Sequence, residues 1–147
     1  MWLESPTNPG LDVCDLAPLT AAAHAVGALV AVDDTTATVL GQRSLSLGAD
    51  FSVSSDSKAT TGHADLLLGR VAVRDTDLLA GLTAWRTQVG AIPGPMETRL
   101  AHRSLATLDV RLQRQCETAL RIATALRDHP AVQACRYPGL PLPRPAA

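Results

Sequence analysis

The sequence has 147 residues, 46% of them hydrophobic and 18% charged, which suits one globular domain with a core of its own. A formal net charge of -1 gives no electrostatic footprint for nucleic acid or an anionic membrane, so no partner of either kind is expected. No apolar run approaches the ~20 residues needed to cross a bilayer, and MWLESPTNPG at the start reads as no signal peptide. The only aromatics are Trp2, Phe51, Trp85 and Tyr137, so the core must be built from Leu, Val and Ala. Cys14, Cys116 and Cys135 are odd in number and far apart, which fits reduced thiols in a cytoplasm better than a disulfide framework or a zinc site.

Trp2 and Leu3 read as the end of a strand, and SPTNPG after them as a loop. Residues 15–26 are Ala-rich and helical, with Asp15 as N-cap and Gly27 as stop. ALVAV at 28–32 is continuously apolar, the pattern of a parallel strand covered on both faces. A short helical piece is expected near 43–47, a buried strand at 51–53 and another at 66–73. This alternation predicts an α/β sheet, mostly parallel, with flanking helices. Residues 75–90 form a helix with a cap signal, AIPGP breaks the chain, and 96–129 read as largely helical up to Pro130. The Pro-rich end, 137–147, is expected to be extended or disordered. The expected division is 1–109 in a large domain, 110–137 at the start of a second domain, and 138–147 as tail.

Lys58 is the only lysine among 13 basic residues. It lies in SVSSDSKATTGH, residues 52–63, a stretch of hydroxyls just beyond a strand. Ligands of open α/β sheets collect outside the carboxyl ends of strands, and Asp33 ends the neighbouring ALVAV run. A buried lysine beside a second cation becomes a nucleophile for carbonyls. Hydroxyls and backbone amides suit a phosphate, and a carboxylate can keep a pyridine nitrogen protonated. Together these are the parts of a pyridoxal phosphate site. Taken singly, each has a plainer reading: a lysine among serines is mostly a solvated loop residue, and an Asp after a strand mostly a turn residue.

The segments in combination are more specific. WLESPTNP at 2–9, ALVAVDDT at 28–35, GADFSVSSDSKATTGHAD at 48–65, and VGAIPGP followed by LAHRSLATLDVRL resemble successive blocks of the Cys/Met-metabolism family of pyridoxal phosphate enzymes. That family includes cystathionine γ-lyase, cystathionine γ-synthase and methionine γ-lyase. The resemblance runs from residue 2 to about 142, and the intervals Asn8–Asp33 and Asp33–Lys58 are equal, as the family pattern implies. It implies part of a fold-type I transferase, with the start of a C-terminal α/β domain, bound to pyridoxal 5'-phosphate. The implied activity is that of a carbon–sulfur lyase or transferase of transsulfuration, leaning to cystathionine γ-lyase. Cystathionine γ-synthase acting on an O-acyl-homoserine and methionine γ-lyase are the alternatives. The substrate would be a sulfur amino acid of the cystathionine, homocysteine or O-acyl-homoserine type, and the assembly a dimer or tetramer. A rival from another class is an inactive truncated remnant or a non-catalytic assembly module.

The resemblance also implies roles. Lys58 would hold the cofactor as a Schiff base and act as catalytic base; Asp33 would pair with the ring nitrogen. Ser55 and Ser57 would donate to the phosphate, and Asn8 to the ring's phenolic oxygen. Four residues depart from the family pattern: Asp34 for Asn, Asp56 for a small residue, Ala59 for an aromatic and Thr61 for Gly. Asp56 would repel the phosphate unless it points away. The family's phosphate loop, its ring-stacking Tyr and its carboxylate-binding Arg lie outside the matched blocks, which implies exposed edges and apolar faces here. His63 is expected to make a structural hydrogen bond, His24, His102 and His129 to face solvent, Cys116 to pack, and Arg103 and Arg111 to form ion pairs. No metal site is expected.

Overall fold

The computed structural model describes residues 1–140. Four strands, β1 (Trp2–Glu4), β2 (Ala31–Asp33), β3 (Phe51–Ser55) and β4 (Gly69–Val73), form one sheet in the order β1-β2-β3-β4. The first three are parallel and β4 runs antiparallel to β3. The helices are α1 (Leu16–His24), the single turn α2 (Thr38–Gly41), α3 (Thr76–Val89), α4 (Pro95–Leu105) and α5 (Leu108–Arg127), with a 3-10 turn at Ser44–Leu47. The expected α/β sheet is therefore present, mostly parallel.

Register assigns the two faces. Leu3 pairs with Val32 and Val32 with Ser52, so these residues share a face. Leu16 and Ala23 of α1 close over that face on Val30, Val32 and Ala49, with Leu3 and Ala28 at the margin. The core is aliphatic, as the composition requires. Ala31, Asp33, Phe51, Val53 and Ser55 occupy the opposite face and are only half-buried.

β3 runs to Ser55 rather than residue 53 and α1 covers only Leu16–His24, and three further differences in extent have a visible cause. β2 begins at Ala31 because the Val30 amide is taken by the Asp50 carboxylate at 2.7 Å and the Ala28 amide by the Ala23 carbonyl. Burial pulls the Asp50 carboxyl upward, and the hydrogen bonds from His24 and the Val30 amide outweigh it, so it titrates below its ordinary value. Residues 66–68 fall outside β4, since Leu68 binds Ser57 through both its amide and its carbonyl. The helical reading of 96–129 divides at Ala106–Thr107, where the Ser104 carbonyl is taken by the Thr107 amide, the Thr107 hydroxyl and the Arg111 guanidinium. Asp15 has the extended backbone of an N-cap without the side-chain hydrogen bond.

Asp75 caps α3 as expected, its Oδ1 accepting the amides of Asp77 and Leu78 at 2.9 Å each. Asp75→Ala should cost about 1 kcal/mol, read as a lower urea midpoint at unchanged slope. α3 itself buries no residue; Leu79 is 51% and Trp85 60% exposed. The expected uncovered apolar faces are thus real features of the described residues. The tail from 141 onward lies outside the described residues.

Candidate active site

The loops leaving β1, β2 and β3 lie side by side because the three strands are parallel neighbours. Asn8 sits in the first loop, Asp33 ends the second strand, and Ser55, Ser57 and Lys58 follow the third.

A chain of hydrogen bonds joins Asp33 to the lysine turn. Asp33 Oδ1 accepts the Thr35 amide at 2.9 Å, and Thr35 Oγ1 accepts the Ser55 amide at 2.8 Å. The Ser55 carbonyl then accepts the Lys58 amide at 3.1 Å. Asp33 and Ser55 also share a face, each flanking Val53 in the alternation of the sheet. The carboxylate, the hydroxyl and the turn that carries the amine are thereby fixed to one end of the sheet. Thr35 is the link that sequence reasoning passed over, although it stands in the quoted ALVAVDDT block.

Three functional groups at this end are free. Among the described residues, the Lys58 amine, the Ser55 hydroxyl and Asp33 Oδ2 have no hydrogen-bond or ion-pair partner. Ser57 differs: its Oγ accepts the Leu68 amide at 2.8 Å and donates to the Leu68 carbonyl at 3.3 Å. Asn8 is exposed and makes no side-chain hydrogen bond to the other four; its loop is tied to β2 by the Ser5 amide on the Asp33 carbonyl at 3.3 Å. The buried lysine beside a second cation is not found. Lys58 is exposed. Cavities of about 290 and 490 Å³ lie on other surfaces and are lined by neither Lys58 nor Asp33. The site is an open ledge, which the strand-end geometry defines better than any enclosed volume.

Asp56 points away from the ledge. Ser52, Ser54 and Asp56 alternate onto the opposite face, where Arg70, paired with Ser54, meets them. Arg70 Nε lies 3.3 Å from Asp56 Oδ2, and Arg70 Nη2 lies 3.7 Å from Asp34 Oδ1. The Ser44 and Ser52 hydroxyls donate to Asp34 Oδ2 at 3.2 and 2.6 Å. Two of the four departures are therefore one ionic cluster behind the site, and the feared repulsion of a phosphate does not arise from Asp56.

The remaining residues divide. His63 Nδ1 donates to the Thr61 carbonyl, a structural bond as expected. His24, His102 and His129 are exposed as expected. Among the described residues no group of His, Cys, Asp and Glu could hold a metal. Cys116 is exposed rather than packed. Arg103 is exposed and forms no ion pair among the described residues. Arg111 forms none either: backbone carbonyls and one hydroxyl take its guanidinium instead.

The profile of the family described as Cys/Met metabolism PLP-dependent enzyme matches residues 1–144. The chain belongs to this family. Within the Cys/Met-metabolism family it is 62% identical over 141 residues to a Streptomyces coelicolor protein provisionally named cystathionine gamma-lyase, covering 96% of this chain and 36% of that protein. It is 38% identical to cystathionine gamma-synthase of Mycobacterium tuberculosis, with the same coverage. Its fold matches the crystal structure of an apo methionine gamma lyase from Micromonospora echinospora with a TM-score of 0.92 at 45% identity, covering 96% of this chain and 39% of that one. The chain thus spans little more than a third of the relatives it matches. The fit to the cofactor rests on the ledge itself: a free amine, a free hydroxyl and a free carboxylate oxygen, held in series, are the donors and acceptor that a pyridoxal phosphate requires.

Proposed function

We propose that this chain supplies the cofactor-holding part of a pyridoxal phosphate-dependent enzyme that cleaves or exchanges a carbon–sulfur bond in a sulfur amino acid, on the cystathionine gamma-lyase branch. The observation that carries this reading is the hydrogen-bonded series Asp33–Thr35–Ser55–Lys58 across two parallel strand ends. When bound, the cofactor would supply an electron sink for charge developing at the substrate's α carbon. Lys58 would hold it covalently through its amine and, once freed, carry protons to and from the α and β carbons. Asp33, with Oδ1 anchored by the Thr35 amide, would use Oδ2 to keep a proton on the ring nitrogen. Ser55 would donate to the phosphate, and Ser57 would do so once its hydroxyl proton turns from the Leu68 carbonyl. Asn8 would donate to the phenolic oxygen from the adjoining loop.

The branch is favoured by the Streptomyces coelicolor relative's name. The domain boundary is proposed near 109–110, supported by the helix break at Ala106–Thr107. A cytoplasmic setting is supported by three free thiols, and no described helix is long and apolar enough to cross a membrane. The uncovered faces of α3 and of the ledge support assembly with further polypeptide, as a dimer or tetramer. They equally favour a second reading, in which the chain keeps the sheet for assembly alone.

Purified protein should be given pyridoxal phosphate and then cystathionine, an O-acyl-homoserine with cysteine, or methionine, with release of keto acid and thiol measured for the first and last and release of the acyl carboxylate for the second. Faster release from cystathionine than from the other two supports the proposal. Preference for either other substrate moves the branch, and cofactor binding without any release supports the assembly reading.

A further inference from the structure

The turn after Lys58 consists of Ala59, Thr60, Thr61 and Gly62, with no large side chain to pack it. Thr60 and Thr61 are buried, and hydrogen bonds add to that packing. The Gly62 amide closes on the Lys58 carbonyl at 2.8 Å, and the Thr61 hydroxyl on the Asp56 carbonyl at 2.8 Å. The Ala59 and Thr60 carbonyls are left for an outside donor, and Arg111 of α5 supplies it. Its Nη1 donates to the Ala59 carbonyl at 2.8 Å and its Nη2 to the Thr60 carbonyl at 2.9 Å. The same guanidinium is held on its own side by the Ser104 carbonyl at 3.0 Å and Thr107 Oγ1 at 3.1 Å. A planar fork with several fixed donors suits this task, and a lysine ammonium could not span it.

Gly62 makes the approach possible. Its φ is +70°, and a Cβ there would overlap Arg111 Nη1. The loop and the helix are 51 and 52 residues apart in sequence, so the contact is a tertiary clamp rather than a local turn.

We infer that Arg111 is a positioning residue for Lys58: it grips the turn that follows the lysine through the space left by Gly62, and so sets where the amine stands on the ledge. The inference rests on the cofactor reading above for its consequence, and on the geometry alone for the grip.

The test compares wild type, Arg111→Lys, Gly62→Ala and the double variant. Affinity for pyridoxal phosphate is read from the visible band of the lysine-bound cofactor. Amide hydrogen exchange across 59–62 is read in the cofactor-free protein. Each single variant should weaken cofactor affinity about tenfold and speed exchange at 59–62 while the β3 amides stay protected. The double variant should be no worse than the poorer single one, since both break one contact. Wild-type affinity and exchange in Arg111→Lys, or losses that add in the double variant, would overturn the inference. Should Arg111→Lys fail to fold, Arg111→Gln decides, because Gly62→Ala also strains a backbone at φ +70° whatever its neighbour. If wild type forms no lysine adduct, the cofactor reading fails, and the exchange data still decide whether Arg111 grips the turn.

Discussion

Lys58→Ala should abolish covalent attachment of pyridoxal phosphate and lower turnover by about 10²- to 10⁴-fold, the scale of losing a positioned proton carrier. Borohydride treatment of the wild-type protein with cofactor should leave a stable mass increase on the peptide containing Lys58, and none in the variant. The sequence makes this test unusually clean, since Lys58 is the only lysine. The Met1 amine donates to the Leu29 carbonyl and lies at the opposite end of β1 from the ledge. A mass increase that persists in Lys58→Ala would show that the attachment has another home. Stability should change little, because Lys58 is exposed and its side chain has no partner among the described residues.

Arg70→Met should destabilise the fold by about 3 kcal/mol, the range seen when one member of a buried ionic cluster is removed. Asp34 and Asp56 have side chains 1% and 8% exposed and share this one guanidinium. Without it, two carboxylates face each other across β2 and β3 with only the Ser44 and Ser52 hydroxyls to compensate Asp34. The comparison that isolates the effect uses Asp34→Asn with Asp56→Ala, which removes both negative charges. On that background Arg70→Met should cost under about 1 kcal/mol, because the unpaired charges are gone. Urea unfolding of the four proteins measures this. Equal costs on both backgrounds would mean that Arg70 acts through packing of its stem rather than through charge.

Much of the architecture was readable because the relevant signals are local. The continuous apolar run before Asp33, the hydroxyl-rich turn after Phe51 and the cap at Asp75 each follow from residues within one element. The orientation of Asp56 was also readable in principle: it shares parity with Ser52 and Ser54, so the pleat sends it to the face opposite Ser55. What stayed hidden depends on contacts between distant segments. Nothing near Arg111 says that it will bind carbonyls of a turn 51 residues away rather than a carboxylate. The break at Ala106–Thr107 is concealed for the same reason, since the Ser104 carbonyl leaves the helix ladder only because Thr107 and Arg111 take it. The exposure of Lys58 reflects what covers the ledge, which no residue around the lysine encodes.

The proposed site requires Asp33 and Lys58 to serve the same ring from adjacent strand ends. The ¹⁵N chemical shift of the pyridine nitrogen of labelled pyridoxal phosphate, bound through Lys58, reports that directly. It should be that of a protonated nitrogen in the wild-type protein well above neutral pH, and that of a neutral nitrogen in Asp33→Asn, with the lysine adduct present in both. An identical shift and titration in the two proteins would mean that Asp33 faces something other than the ring, and the proposed site would be wrong.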